Sequence, residues 1–152
     1  MRPVKRKSPD ADALGGHLCF AVYSTGLAFN RVYKPILDRL GLTYPQYLAM
    51  VILRGEDGQT VGELGDQLFL DSSTLTPLIK RLEAAGLVTR RRDSEDERVV
   101  RVTLTDKGRA VAEEAKCVPG EVLAATGRTP EQLGVLERAI VQLRDTLRAN
   151  AA

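Results

Sequence analysis

Apolar residues recur at helical spacing along most of the chain, and a single stretch alternates between apolar and polar residues as strands do. The first helical run begins at Leu14 and is stopped by Gly41, and Pro35 is expected to kink or restart it. Three shorter helices, each with its own N-terminal cap, are predicted over residues 43–55, 60–69 and 71–86. The first half of the chain is therefore predicted to be helical.

The alternating stretch follows these helices and predicts a β-hairpin. Its two strands are expected at residues 87–92 and 98–104, and the polar segment 93–97 joins them. Three short helices followed by a hairpin are the layout of a winged helix-turn-helix.

Two further helices are predicted after the hairpin. The first begins at the cap Thr105, runs past Cys117 and is broken by Gly127. The second opens at Thr129. It carries an apolar stripe made of Leu133, Leu136, Ile140, Leu143 and Leu147. A small middle domain cannot cover such a stripe completely, so we expect a homodimer that is held together by the end helices.

The predicted fold class is mainly α with a small β-hairpin wing (α+β), in which long N- and C-terminal helices form the dimer. The polar and basic residues 1–11 are expected to be a mobile arm, and residues 12–152 a single domain. Within that domain the dimerisation helices are predicted at 12–40 and 106–150, and the winged helix-turn-helix at 43–104.

Length and composition limit the class of protein. The chain has 152 residues, of which 43% are hydrophobic and 28% charged, as in one ordinary globular domain. It has no apolar run of about 18 residues and no secretory signal near its N-terminus, so we expect a cytoplasmic protein without a membrane span. Two cysteines and one histidine are too few for a structural zinc site, and we expect neither a metal nor a cofactor.

Charge is divided within the middle domain and points to DNA. Residues 55–79 contain no Lys or Arg, whereas the following segment is basic. The candidate recognition helix carries short polar side chains and then two basic ones, namely Ser72, Ser73, Thr76, Pro77, Lys80 and Arg81. Such side chains can reach phosphates and base edges, and the hairpin residues Arg92 and Arg98 suit a narrow minor groove. Taken alone, the serines are more simply explained as helix-start residues and the arginines as a solvated strand face. Together, the two features favour DNA binding.

Residues 96–105, which read Asp-Glu-Arg-Val-Val-Arg-Val-Thr-Leu-Thr, resemble the D-x-R-x-x-x-x-x-L-T wing signature of MarR-type transcriptional regulators. Residues 82–88 resemble that family's exit from the recognition helix, and the likeness extends from about Leu14 to Leu147. The resemblance implies a homodimer on a palindromic operator in double-stranded DNA, with recognition helices in major grooves and wings in minor grooves. It also implies that Arg98 enters the minor groove and that Asp96 holds it in place.

The first helix contains a cysteine beside tyrosines. A lone cysteine such as Cys19 is more often an inert packed residue than a sensor. On a helical wheel, however, Tyr23 and Tyr33 lie about 40° to either side of it. Tyr33 is about 21 Å away along the same helix, so only an antiparallel second copy could bring it to the sulfur, where a hydroxyl would stabilise a thiolate. The alternative is that the tyrosines are core and interface residues, which we prefer for Tyr47.

This cluster resembles the organic hydroperoxide-sensing, OhrR-type branch of the MarR family, at Cys19, Tyr23, Tyr33 and Tyr44. The resemblance implies a repressor whose Cys19 is oxidised by an organic hydroperoxide to a sulfenic acid, then forms a disulfide and releases DNA. It also implies that Tyr33 and Tyr44 contact the sulfur across the dimer. The apolar surroundings of Cys19 lead to the hypothesis that alkyl or lipid hydroperoxides are preferred over hydrogen peroxide.

The sequence leaves two alternatives for the thiol that forms the disulfide with Cys19. Some members of the branch use a second cysteine in a phrase resembling F-C-A-T-G, and Ala124 stands at that position here. Cys117 lies about 10 Å earlier along the helix, whereas a disulfide needs Cα atoms within about 7 Å. Either Cys117 is an unusual resolving thiol or a low-molecular-weight thiol caps Cys19. We favour a structural Cys117.

Two other functions compete with the hydroperoxide sensor. The first is a MarR-type regulator that a non-covalent ligand such as an aromatic acid releases from DNA, with Cys19 merely packed. The second is a thiol peroxidase, but no second catalytic group accompanies Cys19, so we do not expect an enzyme.

Overall fold

The computed structural model describes residues 16–151, and the predicted basic arm at 1–11 and the predicted helix start at Leu14 lie outside them. In chain order the elements are α1 (Leu18–Asp38), α2 (Tyr44–Gly55), β1 (Gln59–Thr60), α3 (Val61–Leu68), α4 (Ser72–Ala84), β2 (Val88–Arg92), β3 (Val100–Leu104), α5 (Asp106–Glu114), a 3-10 turn (Ala115–Cys117), α6 (Val118–Thr126) and α7 (Pro130–Asn150). This order confirms the predicted fold class, a mainly helical winged helix-turn-helix with long helices at both ends.

Side-chain caps set the helix starts that the sequence predicts. Thr43, Thr60 and Thr129 each accept a hydrogen bond from the backbone N–H three residues on, and the side chain there accepts one from the cap N–H in return. Asp71 caps α4 by accepting from the N–H of Thr74 at 2.9 Å. Because the first N–H groups of a helix have no partner within it, these bonds fix where each helix begins.

The core is built around the winged helix-turn-helix, with contributions from the end of α1 and from α6. The largest fully buried side chains are Leu37, Met50, Leu53, Leu64, Leu75, Ile79, Leu82, Val88, Val102 and Val118. Each such side chain contributes about 1.5–3 kcal/mol when it leaves water. Tyr47 is also buried in this core, as predicted.

The wing belongs to a three-stranded antiparallel sheet with the strand order β1-β3-β2. In the hairpin Val88 pairs with Leu104 and Arg92 with Val100, so both predicted strands are confirmed. Strand β1 was not predicted, because its two residues show no alternation and Thr60 also caps α3.

The helices at the two ends depart from prediction at their prolines. The helix expected to run unbroken from Thr105 past Cys117 is interrupted by the 3-10 turn. Pro119 has no N–H to donate to the carbonyl of Ala115, and the helical hydrogen-bond ladder is lost there. In contrast, α1 continues through Pro35 as one helix and does not restart.

The turn between α3 and α4 is tight. Phe69 has the left-handed backbone conformation, with φ 57° and ψ 36°, and ends α3. A Cβ atom on Gly65 would lie 2.8 Å from the carbonyl oxygen of Leu70, so only glycine allows the turn to pack this closely on α3. Among the described residues, no helix is both long and apolar enough to cross a membrane.

Candidate nucleic-acid interface and thiol site

Helix α4 buries one face and presents the other to solvent. Its buried residues are Leu75, Leu78, Ile79 and Leu82. The exposed side carries Ser72, Ser73, Pro77, Lys80 and Arg81, and Thr76 is half-buried beside them. The structure therefore places all six predicted recognition residues on or beside one accessible surface.

The start of α4 is a fixed polar cap. The hydroxyl of Ser73 donates to the carboxylate of Asp71 at 2.7 Å. This bond and the backbone N–H of Thr74 hold the pKa of Asp71 below its usual range. The cap therefore stays ionised near neutral pH, and the helix keeps one starting point.

The tip of the wing carries an oriented arginine. Asp96 accepts from the Nε of Arg98 at 3.2 Å and from its backbone N–H at 3.1 Å. The Arg98 side chain nevertheless remains 91% exposed, and Arg92 nearby donates to the backbone carbonyl of Glu97. The contact between Asp96 and Arg98 that the family resemblance implies is present, and their role on DNA stays a prediction.

Two carboxylates that sequence reasoning did not single out hold the wing in shape. Asp93 accepts from the N–H of Glu95 at 2.9 Å and from the Nε of Arg101 at 2.8 Å, and these bonds lower its pKa. Asp57, in the turn before β1, accepts from the N–H of Leu104 at 2.9 Å and so ties that turn to β3. The available sequence signal was an Asp beside turn residues, since such side chains bind nearby backbone N–H groups.

A further ion pair joins the wing to α4. Arg90 donates from Nε and Nη2 to one oxygen of Glu83, at 3.2 and 3.1 Å, and its backbone N–H donates to the other oxygen. Arg90 is therefore engaged within the protein. Other arginines in this region are exposed, namely Arg81 on α4, Arg91 and Arg92 on β2, and Arg98 at the wing tip.

The tyrosines form a cluster that sequence spacing does not predict. The Tyr33 ring lies 4.7 Å from that of Tyr44 and 6.1 Å from that of Tyr47. Burial raises the pKa of Tyr33 to about 12, and Tyr44 and Tyr47 act in the same direction. Tyr33 is therefore a neutral hydrogen-bond donor over the whole physiological range. Tyr23, which shares its helix, is exposed and lies outside the cluster.

An open apolar groove of about 1030 Å³ runs between α1, α6 and α7. Tyr23, Tyr33 and Tyr44 lie on its wall, together with apolar residues that include Val22, Leu27, Phe29, Leu123, Leu133, Leu136 and Ile140. Cys19 is exposed near the start of α1, one helical turn before Tyr23. A single chain thus presents an uncovered apolar surface beside its candidate sensor thiol.

Cys117 lies at the opposite end of α1 from Cys19. Its thiol donates to the carbonyl of Glu114 at 3.2 Å and lies 3.7 Å from the carboxylate of Glu121. That carboxylate pairs with Arg39 at the C-terminal cap of α1, at 2.5 Å. About 30 Å of helix separates Arg39 from Cys19, which is far more than the 7 Å or so that a disulfide allows. In this conformation the two cysteines of one chain cannot pair.

Within residues 16–151 no group of three or more His, Cys, Asp or Glu side chains could hold a metal ion.

Known proteins resemble this chain over most of its length. A family model described as transcriptional regulator SarA/Rot matches residues 31–115. The HTH-type transcriptional regulator TtmR of Methylorubrum extorquens (strain PA1) is 48% identical over 142 residues, which are 93% of this chain and 73% of that protein. The organic hydroperoxide resistance transcriptional regulator of Bacillus subtilis (strain 168) is 44% identical over 134 residues, which are 88% of this chain and 91% of that protein.

Solved structures of AbfR from Staphylococcus epidermidis share the fold. Overoxidized AbfR bound to DNA has a TM-score of 0.72 at 34% identity, covering 88% of this chain and 94% of that chain. Disulfide-formed AbfR has a TM-score of 0.59 at 35% identity, covering 86% and 91%. A further structure of AbfR from Staphylococcus epidermidis has a TM-score of 0.70 at 34% identity, covering 89% and 94%.

Proposed function

Because the chain belongs to the MarR-type family of winged-helix transcriptional regulators, with DNA as its ligand, we propose that it is a repressor that senses organic hydroperoxides through Cys19. The observation that carries the proposal is the Tyr33–Tyr44 pair on the wall of an apolar groove, in which Tyr33 comes from α1, the helix that also bears Cys19. The name of the Bacillus subtilis relative, at 44% identity, supports the same signal.

The proposed site is completed by a second copy of the chain. Helix α7 has no buried residue, and Leu136 and Ile140 on its groove side are 49% and 43% exposed. Covering this surface is favourable by about 25 cal/mol for each Å² of apolar area removed from water. In an antiparallel arrangement of the two α1 helices, the partner's tyrosine cluster would meet Cys19, which the Tyr33 of the same chain cannot reach.

The proposed chemistry is a two-electron oxidation of Cys19. The thiolate attacks one oxygen of the hydroperoxide, an S–O bond forms, and the O–O bond breaks. The sulfur becomes a sulfenic acid, and the departing alkoxide takes a proton from solvent to become an alcohol. The hydroxyl groups of the partner's Tyr33 and Tyr44 supply O–H donors that stabilise the thiolate, and the apolar groove accommodates an alkyl or aryl group of the hydroperoxide.

We infer that an external low-molecular-weight thiol, rather than Cys117 of the same chain, attacks the sulfenic acid. This step forms a mixed disulfide and releases water. The position of Cys117 supports the inference, because it lies at the opposite end of α1 from Cys19 and beyond the reach of a disulfide within one chain. A bulky adduct on Cys19 would then disturb the proposed interface between the two copies and release the DNA.

A second candidate function uses the same groove without covalent chemistry. Its volume of about 1030 Å³ and its three tyrosines suit a small aromatic acid whose binding releases DNA, with Cys19 as a packed residue. Neither candidate function is enzymatic. In the first, each sensor thiol reacts once, and in the second, the ligand is bound without being converted.

The test follows DNA release and thiol oxidation together. Reduced protein, bound to a duplex that it has selected from a random pool, receives one equivalent of cumene hydroperoxide or hydrogen peroxide and an excess of a small thiol. We expect rapid, selective modification of Cys19 by mass spectrometry, with loss of DNA binding. Cys19→Ser should bind DNA and ignore the peroxide, whereas the matched control Cys117→Ser should respond as the wild type does.

Three results would contradict the proposal. If Cys19 stays reduced for many minutes while benzoate releases the DNA, the second candidate is correct. If the wild type forms a Cys19–Cys117 disulfide that Cys117→Ser lacks, Cys117 is the resolving thiol. Sustained consumption of hydroperoxide with a dithiol, far beyond one turnover, would make the protein a peroxidase.

A further inference from the structure

Phe69 is an unusual residue for its place in the fold. It ends α3 with a φ of 57°, in the left-handed region where glycine is the ordinary choice and where a bulky residue is an outlier. Such a conformation persists only when neighbouring contacts hold it. The ring is 47% exposed, so burial in the core does not account for it.

Two arginines of the C-terminal helix hold this ring. The Cζ atoms of Arg144 and Arg148 lie 4.6 and 4.4 Å from its centroid. A guanidinium within about 6 Å of an aromatic face is attracted by the ring quadrupole. The two residues are four positions apart, so both project from one face of α7 towards Phe69. We call these three residues the Phe69 clasp.

The clasp joins two parts of the molecule that have different tasks. Phe69 lies two residues before Asp71, the cap at which the recognition helix α4 begins. At its other end α7 lines the apolar groove through Leu133, Leu136 and Ile140. Helix α7 therefore runs from the groove to the turn that sets the start of α4.

We propose that Phe69, Arg144 and Arg148 are positioning residues for DNA binding. The clasp holds the α3–α4 turn against α7 and so fixes the recognition helix relative to the helices that form the dimer. The competing interpretation is that Arg144 and Arg148 bind DNA phosphates themselves. Residues 55–79 contain no Lys or Arg, so these two arginines would supply positive charge beside the α3–α4 turn. The proposal rests on DNA binding and not on peroxide sensing, and its test therefore uses fully reduced protein.

The two interpretations differ in their salt dependence. The affinity of reduced protein for the selected duplex is measured by fluorescence anisotropy at several salt concentrations. A lost phosphate contact lowers the slope of log K against log salt by about 0.9, whereas a lost positioning contact lowers affinity at every salt concentration alike. We expect Arg144→Gln, Arg148→Gln and Phe69→Leu each to weaken binding about three- to fivefold with an unchanged slope.

Matched variants separate the clasp from charge and from folding. Phe69→Tyr keeps an aromatic ring and should bind as the wild type does. Arg138→Gln removes the same charge from the same helix, away from Phe69, and should have no effect. Phe69→Gly relieves the left-handed strain, so it should unfold no earlier than the wild type on heating and yet bind DNA as weakly as Phe69→Leu.

Several outcomes would overturn the proposal. A reduced slope in the arginine variants, with normal binding by Phe69→Leu, would make Arg144 and Arg148 phosphate ligands. Wild-type affinity in all clasp variants would leave the clasp without a role in DNA binding. Full affinity in Phe69→Gly would show that only the backbone conformation of the turn is needed. Wild-type binding in each titration is the internal check that the chain is a DNA-binding protein.

Discussion

The winged helix-turn-helix and the end helices use their apolar residues in opposite ways. In the middle of the chain Leu53, Leu64 and Ile79 are completely buried by other residues of the same chain. In α7 no residue is buried, and its apolar residues Leu133, Leu136 and Ile140 line an open groove. One chain thus completes the unit that reads DNA, but it does not complete the surface that carries the proposed sensor.

Charged residues show the same difference. Around the wing, Asp57, Asp93 and Glu83 accept hydrogen bonds from backbone N–H groups as well as from arginines, and they fix the shape of the hairpin. On α1 the Lys34–Asp38 pair is exposed on the helix surface, where such pairs contribute about 0–1 kcal/mol. The middle unit is therefore fixed by its own contacts, whereas the position of the end helices depends on what packs against them.

The largest effect is expected at Gly108, where α5 packs against the middle unit. A Cβ atom there would overlap the carbonyl oxygen of Leu87, where α5 packs on the start of the wing. We expect Gly108→Ala to lower the free energy of unfolding by about 3 kcal/mol or more, or to prevent folding. Urea denaturation followed by circular dichroism measures the change.

Gly120 in α6 provides the matched control, because nothing lies within 4 Å of a Cβ atom placed on it. Gly120→Ala should change the free energy of unfolding by no more than about 1 kcal/mol, with stabilisation favoured, since alanine is the better helix former. A Gly108→Ala protein with the urea midpoint of the wild type would contradict the described packing of α5.

The second largest effect should come from the end helices. Leu136→Glu places a charge in the apolar groove and should yield a monomer whose far-ultraviolet circular dichroism is unchanged. Because only one half-site can then be held at a time, we expect DNA affinity to fall by about 100-fold or more. Analytical ultracentrifugation measures the association, and Gln142→Glu, outside the groove, is the control. A Leu136→Glu dimer would show that another surface joins the two copies.

Features with a local cause could be predicted from the sequence. The caps at Thr43, Thr60 and Asp71 are encoded within four residues, and each begins a helix in the structure. The wing strands follow from alternation, because successive side chains of a strand point to opposite faces. The contact between Asp96 and Arg98 lies in the loop between these strands, and it was expected from the family resemblance rather than from alternation.

Features that depend on distant residues could not be predicted. A helical wheel groups Tyr33 with Tyr23, but in the structure Tyr33 packs on Tyr44 and Tyr47 from the next helix. The Phe69 clasp joins residues that are more than 70 positions apart in the chain. Hydrophobic periodicity reports which face of a helix is buried, and it does not report which element covers that face.

The next effect concerns the wing, whose contact with DNA is proposed to be made by residues of the middle unit alone. Arg98→Ala removes the exposed guanidinium at the wing tip, and we expect DNA affinity to fall about tenfold. Asp96→Ala should cost less, about threefold, since it frees Arg98 without removing its charge. Fluorescence anisotropy measures both, with Arg128→Ala, in the turn before α7, as the charge-matched control. Equal binding by Arg98→Ala and Arg128→Ala would exclude Arg98 as a DNA contact.

The smallest effect is on the pH dependence of stability, to which Asp93 in the wing and Tyr33 on α1 contribute at opposite ends of the pH range. The pKa of Asp93 is lowered by the N–H of Glu95 and by Arg101, so its contribution to stability is complete above its unfolded value of about 3.9 and is lost as the pH falls through its folded value. The pKa of Tyr33 is raised to about 12, so its contribution is complete below about 10 and is lost as the pH rises towards 12. Urea midpoints should therefore fall on the acid side less steeply in Asp93→Asn than in the wild type. On the alkaline side the urea midpoint of Tyr33→Phe should fall less with rising pH than that of the wild type. If Asp93→Asn changed the alkaline dependence, or Tyr33→Phe the acid dependence, the two groups would not act separately.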